Sequence, residues 1–119
     1  MANGDGPREA KDGAAASSDD GWRSEMRREY AAGLEAKLET LRSLVGALAG
    51  DPACAERRAA LLDAVHKIRG SAGAYGFGEL SRIAADWEAV IGEGAAIEAM
   101  RDFHDRIDIA ARAALARED

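Results

Sequence analysis

From Trp22 onward, apolar side chains recur at steps of three and four: Trp22, Met26, Tyr30, Leu34, Leu38, Leu41, Val45 and Leu48. That is the spacing of one face of an α-helix. Gly33 interrupts the run and is expected to mark a kink or a short leading helix. Gly50 closes it, and Asp51-Pro52 is expected to open a second helix, with Asp51 as N-cap and Pro52 at the first helical position. This second helix should run from about Pro52 to about Ala74, with Leu61, Val65, Ile68 and Ala72 facing the core. A third stripe comprises Leu80, Ile83, Ala84, Trp87, Val90 and Ile91 and stops at Gly92-Glu93-Gly94; a fourth carries Ile97, Met100, Phe103, Ile107, Ala111 and Ala114. No stretch alternates with period two, so strands are not expected. Four amphipathic helices joined by short turns predict an all-α fold, an antiparallel four-helix bundle over residues 21–117. Residues 1–20, MANGDGPREAKDGAAASSDD, hold almost no large apolar side chain. Such a segment cannot offset the entropy of ordering and reads as a flexible N-terminal tail.

Composition narrows the function classes. The chain has 119 residues, enough for one domain, with 47% hydrophobic and 32% charged residues and a net charge of −6. That charge argues against sequence-independent nucleic-acid binding, which rests on Lys and Arg neutralising phosphates. No apolar run is long enough to span a bilayer or to act as a signal segment, so no membrane partner is expected. The single Cys54 has no partner for an internal disulfide, and a reducing cytoplasm is the expected compartment.

One stretch resists a purely structural explanation. His66-Lys67-Ile68-Arg69-Gly70-Ser71-Ala72-Gly73-Ala74-Tyr75-Gly76 lies within the second helix yet spends three glycines, each costing ~1 kcal/mol relative to Ala in a helix interior. At about 100° per residue, His66 falls roughly 130° from the centre of the apolar stripe and must point outward. Leu62 at i−4, Arg69 at i+3, Gly70 at i+4 and Gly73 at i+7 share its strip. A neutral imidazole keeps a lone pair on one ring nitrogen and can attack phosphorus. Arg69, one turn along, can neutralise a phosphoryl group. Gly70 and Gly73 would clear the way for a second protein's active site. The bland alternative is a solvated surface histidine, with glycines that only ease helix packing; the conjunction of features favours the chemical reading.

These residues resemble the motif of histidine-containing phosphotransfer (HPt) domains, approximately H-x-[LI]-[KR]-G-[SGA]-[SA]-x-x-x-G, met here from His66 to Gly76. The resemblance spans about Trp22 to Leu115, and the AGAYGF and LSRIAADWEAV segments are also similar to the transfer domain of chemotaxis histidine kinases. It implies that His66 is the phosphoacceptor, that Arg69 stands where a lysine is usual, and that Gly70 gives a receiver domain room. It also implies a polar side chain on the next helix holding the second ring nitrogen. Glu88 occupies that position, at the margin of the third helix's apolar stripe; the alternative is a plain surface glutamate. A carboxylate accepting from Nδ1–H would fix the tautomer that leaves Nε2 free.

The remaining candidates are weaker. His104 has Ile107 at i+3 and Asp108 at i+4, hence neither cation nor clearance, and is expected to stay unphosphorylated. Two scattered histidines make no zinc site; Asp102, Asp105 and Asp108 read as a solvated helix face. Ala59 and Leu62 form an apolar border suited to partner docking, and Lys67 is solvated or steers an acidic partner. No Gly-rich nucleotide loop, P-loop or kinase signature is present. The reading is therefore a relay intermediate without autokinase activity. It would exchange a phosphoryl group with response-regulator receiver domains or a hybrid histidine kinase, with no cofactor of its own and Mg²⁺ held by the partner. The alternatives are a transfer-domain fragment of a chemotaxis-type kinase, phosphorylated by an ATP-binding catalytic domain, and a docking or inhibitory module without chemistry. A hydrolase pairing His66 with Asp63 lacks a nucleophile to complete it.

Overall fold

A computed structural model describes the backbone of residues 10–118 and the side chains of residues 21–117. Four helices account for nearly all of it: α1 (Ala10–Gly50), α2 (Ala55–Ala74), α3 (Gly78–Gly92) and α4 (Ile97–Glu118). Each packs against two neighbours, α1 with α2 and α4, and α3 with α2 and α4, which closes a four-membered ring. The most extensive contact is between α2 and α3. The all-α bundle expected from the periodicity is the fold observed.

The stripes read from the sequence meet at the centre. Leu34, Leu41 and Leu48 of α1, Leu61 and Val65 of α2, Leu80, Trp87 and Ile91 of α3, and Met100 and Ile107 of α4 are all sealed from solvent. Trp87 is the largest of them. Its ring stacks on Phe103 at 6.1 Å between centroids, and its indole N–H, which a buried Trp must satisfy, donates to Met100 Sδ at 3.4 Å.

Two turns rest on left-handed glycines. At the end of α2, Gly76 has φ +86°; its N–H bonds to the Gly73 carbonyl at 3.2 Å, and the Phe77 N–H reaches back to the Ala72 carbonyl at 2.8 Å. This is a Schellman closure, completed by the buried apolar pair Phe77 and Ala72. The end of α3 repeats it: Gly94 has φ +78°, with Gly94 N–H to the Ile91 carbonyl and Ala95 N–H to the Val90 carbonyl, both at 3.1 Å. Both loops are therefore short and fixed, which holds α3 tightly between its neighbours.

Three local expectations are corrected. The second helix does not open at Asp51 and Pro52. Those residues form a turn closed by the Cys54 N–H on the Asp51 carbonyl at 3.0 Å, and Cys54 is the N-cap, with φ −74° and ψ 111°. The turn is fastened by Arg57, which donates to the Ala47 carbonyl in the last turn of α1 at 2.7 Å. Gly33 does not set off a short leading helix, since α1 is one helix from Ala10 to Gly50. Trp22 carries the right spacing for the core but is 59% exposed, because α1 outruns the shorter helices that would cover it. Of the segment read as a tail, residues 1–9 and the side chains of 10–20 lie outside the described residues, while α1 is assigned from Ala10.

Candidate functional site

The buried face of α2, formed by Leu61, Val65, Ile68 and Ala72, turns His66 out of the bundle, with 66% of its side chain exposed. The buried face of α3, formed by Leu80, Ala84, Trp87 and Ile91, places Glu88 at the seam with α2, where only 14% of its side chain is exposed. The two meet: the His66 Nδ1–H donates to Glu88 Oε2. The other carboxylate oxygen, Oε1, accepts from Arg69 Nη1 at 2.6 Å. One carboxylate thus holds both the histidine and the cation a turn further along α2, in the charge-assisted geometry that makes such bonds strong.

The state of Glu88 follows. Partial burial pushes its carboxyl up, but the hydrogen bond from Arg69, that from His66 and the positive charge of both outweigh this, and it titrates below its ordinary value. It is a carboxylate near pH 7. As an acceptor it fixes the proton on Nδ1 and leaves the lone pair on Nε2.

Around the ring lies an open depression of about 650 Å³, lined by Ala59, Leu62 and Asp63 of α2 and Ala85 and Ala89 of α3 beside the three site residues. Ala59 and Leu62 therefore border the histidine. Lys67 does not; it pairs with Asp63 at 3.1 Å and lines the groove between α1 and α2 instead.

The two candidate access glycines part company. A Cβ built at Gly70 meets nothing within 4 Å, so the space beside His66 is open there. A Cβ at Gly73 would stand 3.2 Å from Ser81 Oγ on α3, so this position serves the approach of the two helices and not access to the ring. Ser81, which the sequence did not single out, donates its hydroxyl to the Arg69 carbonyl at 2.8 Å. Ser71, within the motif, donates to the Lys67 carbonyl at 2.9 Å and accepts from the Tyr30 hydroxyl at 2.8 Å, tying α2 to α1.

His104 is in a different setting. It is buried, edge-on to the Trp87 ring, with Nε2 3.1 Å from the Leu38 carbonyl. Asp102 and Asp108 pair along α4 with Arg106 and Arg112, and among the described residues no group of three or more His, Cys, Asp or Glu is arranged to hold a metal ion. Among the same residues, no helix is long and apolar enough to cross a membrane.

The family model of the Hpt domain matches residues 25–117. The chain belongs to the Hpt domain family. No curated protein and no solved structure gives a significant match. The Hpt match starts within α1 and ends within α4, so it takes in all four helices and every residue of the site. Histidine phosphotransfer in phosphorelays, and exchange with receiver domains and histidine kinases, are what the Hpt family does.

Proposed function

We propose that this Hpt domain carries a phosphoryl group on Nε2 of His66, taking it from an aspartyl-phosphate of one receiver domain and passing it to another. The observation that carries the reading is the pairing of His66 Nδ1–H with Glu88. With that nitrogen occupied, Nε2 is the nucleophile, on a ring that is two-thirds exposed and beside the open space at Gly70.

In the forward step the Nε2 lone pair attacks phosphorus in line. The N–P bond forms, the anhydride P–O bond to the receiver's aspartate breaks, and that aspartate leaves as a carboxylate. The imidazole, still protonated on Nδ1, becomes cationic, and the Glu88 carboxylate is in place to balance it. Arg69 stands one turn away for the anionic phosphoryl oxygens. In the return step a second receiver's aspartate attacks, and His66 leaves as the neutral ring. The receiver supplies Mg²⁺ and its acidic pocket; this chain supplies a positioned nucleophile and a surface to dock on. Without a nucleotide-binding motif in its sequence, it is a relay intermediate and not an autokinase.

The test is incubation with a phosphorylated receiver domain, or with a histidine kinase and ATP. The expected product is an acid-labile, base-stable adduct on the wild type and none on His66→Gln. An adduct that persists in His66→Gln, or the lack of any adduct on the wild type with every cognate partner, overturns the proposal.

A further inference from the structure

The pairing of His66 with Glu88 joins two helices, so it holds only while α2 and α3 keep one register and one separation. A feature two turns away fixes both. Gly73 follows His66 by seven residues and Ser81 precedes Glu88 by seven, so in this antiparallel pair the two couples lie on the same seam, about 10.5 Å apart. At Gly73 the α2 backbone is bare, and the Ser81 side chain fills the notch, its Oγ 3.2 Å from where a Cβ would be. From there the hydroxyl donates to the Arg69 carbonyl at 2.8 Å. Arg69 is also the residue whose guanidinium grips Glu88.

We infer that the Gly73–Ser81 notch is a register pin for the reactive pair, and that Ser81 is a positioning residue that acts on His66 through the α2–α3 alignment. The inference deepens the phosphotransfer reading and rests on it for its catalytic consequence. A slip of one residue along α3 turns Glu88 about 100° away from the ring and moves it 1.5 Å along the axis, which breaks the Nδ1–H bond. The hydroxyl opposes that slip, because its acceptor is a carbonyl on the facing backbone. The glycine makes room for the hydroxyl, because any side chain there would push Ser81 outward.

The test uses the free protein. Ring ¹⁵N spectra of His66 read the hydrogen-bonded Nδ1–H directly, and the rate of phosphorylation by phosphoramidate, a donor that needs no docking surface, reads reactivity. Ser81→Ala should leave the fold intact, since the Arg69 carbonyl keeps its bond within α2. It should weaken the Nδ1–H signal and slow phosphorylation about 10-fold, the scale of a sub-ångström misplacement. Gly73→Ala, which gains helix propensity, should do the same, while Ser81→Thr, which keeps the hydroxyl, should behave as wild type. Wild-type spectra and rates in both Ser81→Ala and Gly73→Ala would overturn the pin, as would slower phosphorylation with an unchanged Nδ1–H signal. A wild type that phosphoramidate fails to modify at His66 would count against phosphotransfer itself, and the ring spectra would still decide the pin.

Discussion

Replacing Glu88 with glutamine (Glu88→Gln) keeps the shape of the side chain and removes its charge. The amide oxygen can still accept from His66 Nδ1–H, but the amide nitrogen is a donor and cannot receive Arg69 Nη1, which now finds its acceptor at 2.6 Å. Hydrogen bonds to charged groups contribute about 1.5–3 kcal/mol when sheltered. Here the partners are 66% and 49% exposed, and solvent screening brings each interaction towards ~1 kcal/mol. A loss of about 1–1.4 kcal/mol in balancing the cationic phosphoimidazole slows attack roughly 5- to 10-fold. The stability loss is of the same size and lowers the melting temperature by about 4–8 °C for a domain of this length. The assay is a time course of phosphoryl transfer from a phosphorylated receiver, with a melting curve on the same sample. A transfer rate within twofold of wild type, at full folding, refutes the role assigned to the carboxylate.

Further outcomes follow from the same geometry. Because Glu88 titrates below its ordinary value of 4.5, its contribution to stability is complete above that pH and is lost as pH falls through the lowered folded-state value; the urea midpoints of wild type and Glu88→Gln should converge on acidification through that window. Gly70→Met should leave phosphorylation by phosphoramidate near wild type while reducing transfer from a receiver domain at least about tenfold, since a side chain there meets no atom of this protein and only a docked partner would feel its bulk; equal losses with both donors would contradict the access argument. Gly76→Ala forces a Cβ into φ +86° at a cost of roughly 1–2 kcal/mol, read as a lower melting temperature with transfer retained in the folded fraction. Leu61→Ala opens a cavity at a fully sealed position and should cost about 2–5 kcal/mol in denaturant unfolding.

Much of this was legible in the chain because helix period and burial are tightly linked. The stripes of α2, α3 and α4 named the core, and the angle between the apolar stripe of α2 and His66 was enough to turn the imidazole outward. The errors have a common origin in what periodicity omits. Trp22 keeps the apolar spacing, but a stripe does not reveal how long the neighbouring helices are, and α1 extends past them. Gly73 shares the outer strip with Gly70, yet its bare backbone faces Ser81; which glycine opens to solvent and which to another helix is decided by the partner, not by the helix that carries it. Asp51-Pro52 has the residue types of a helix start, but the turn that reaches α2 from the end of α1 consumes those positions and moves the cap to Cys54. Glu88 was found through the family likeness, whereas its second bond, to Arg69, depends on the depth and rotation of α3 and had no signal in the sequence.

The reactive ring, its carboxylate and its arginine all belong to the α2–α3 hairpin, whose ends are joined by a single tight Schellman turn. Bringing them together requires only one small loop closure, at low entropic cost, and no contact between distant parts of the chain. The outer helices α1 and α4 act as buttresses to this unit, so variation along their solvent faces is free to alter solubility or tethering while the chemistry stays encoded in one contiguous hairpin.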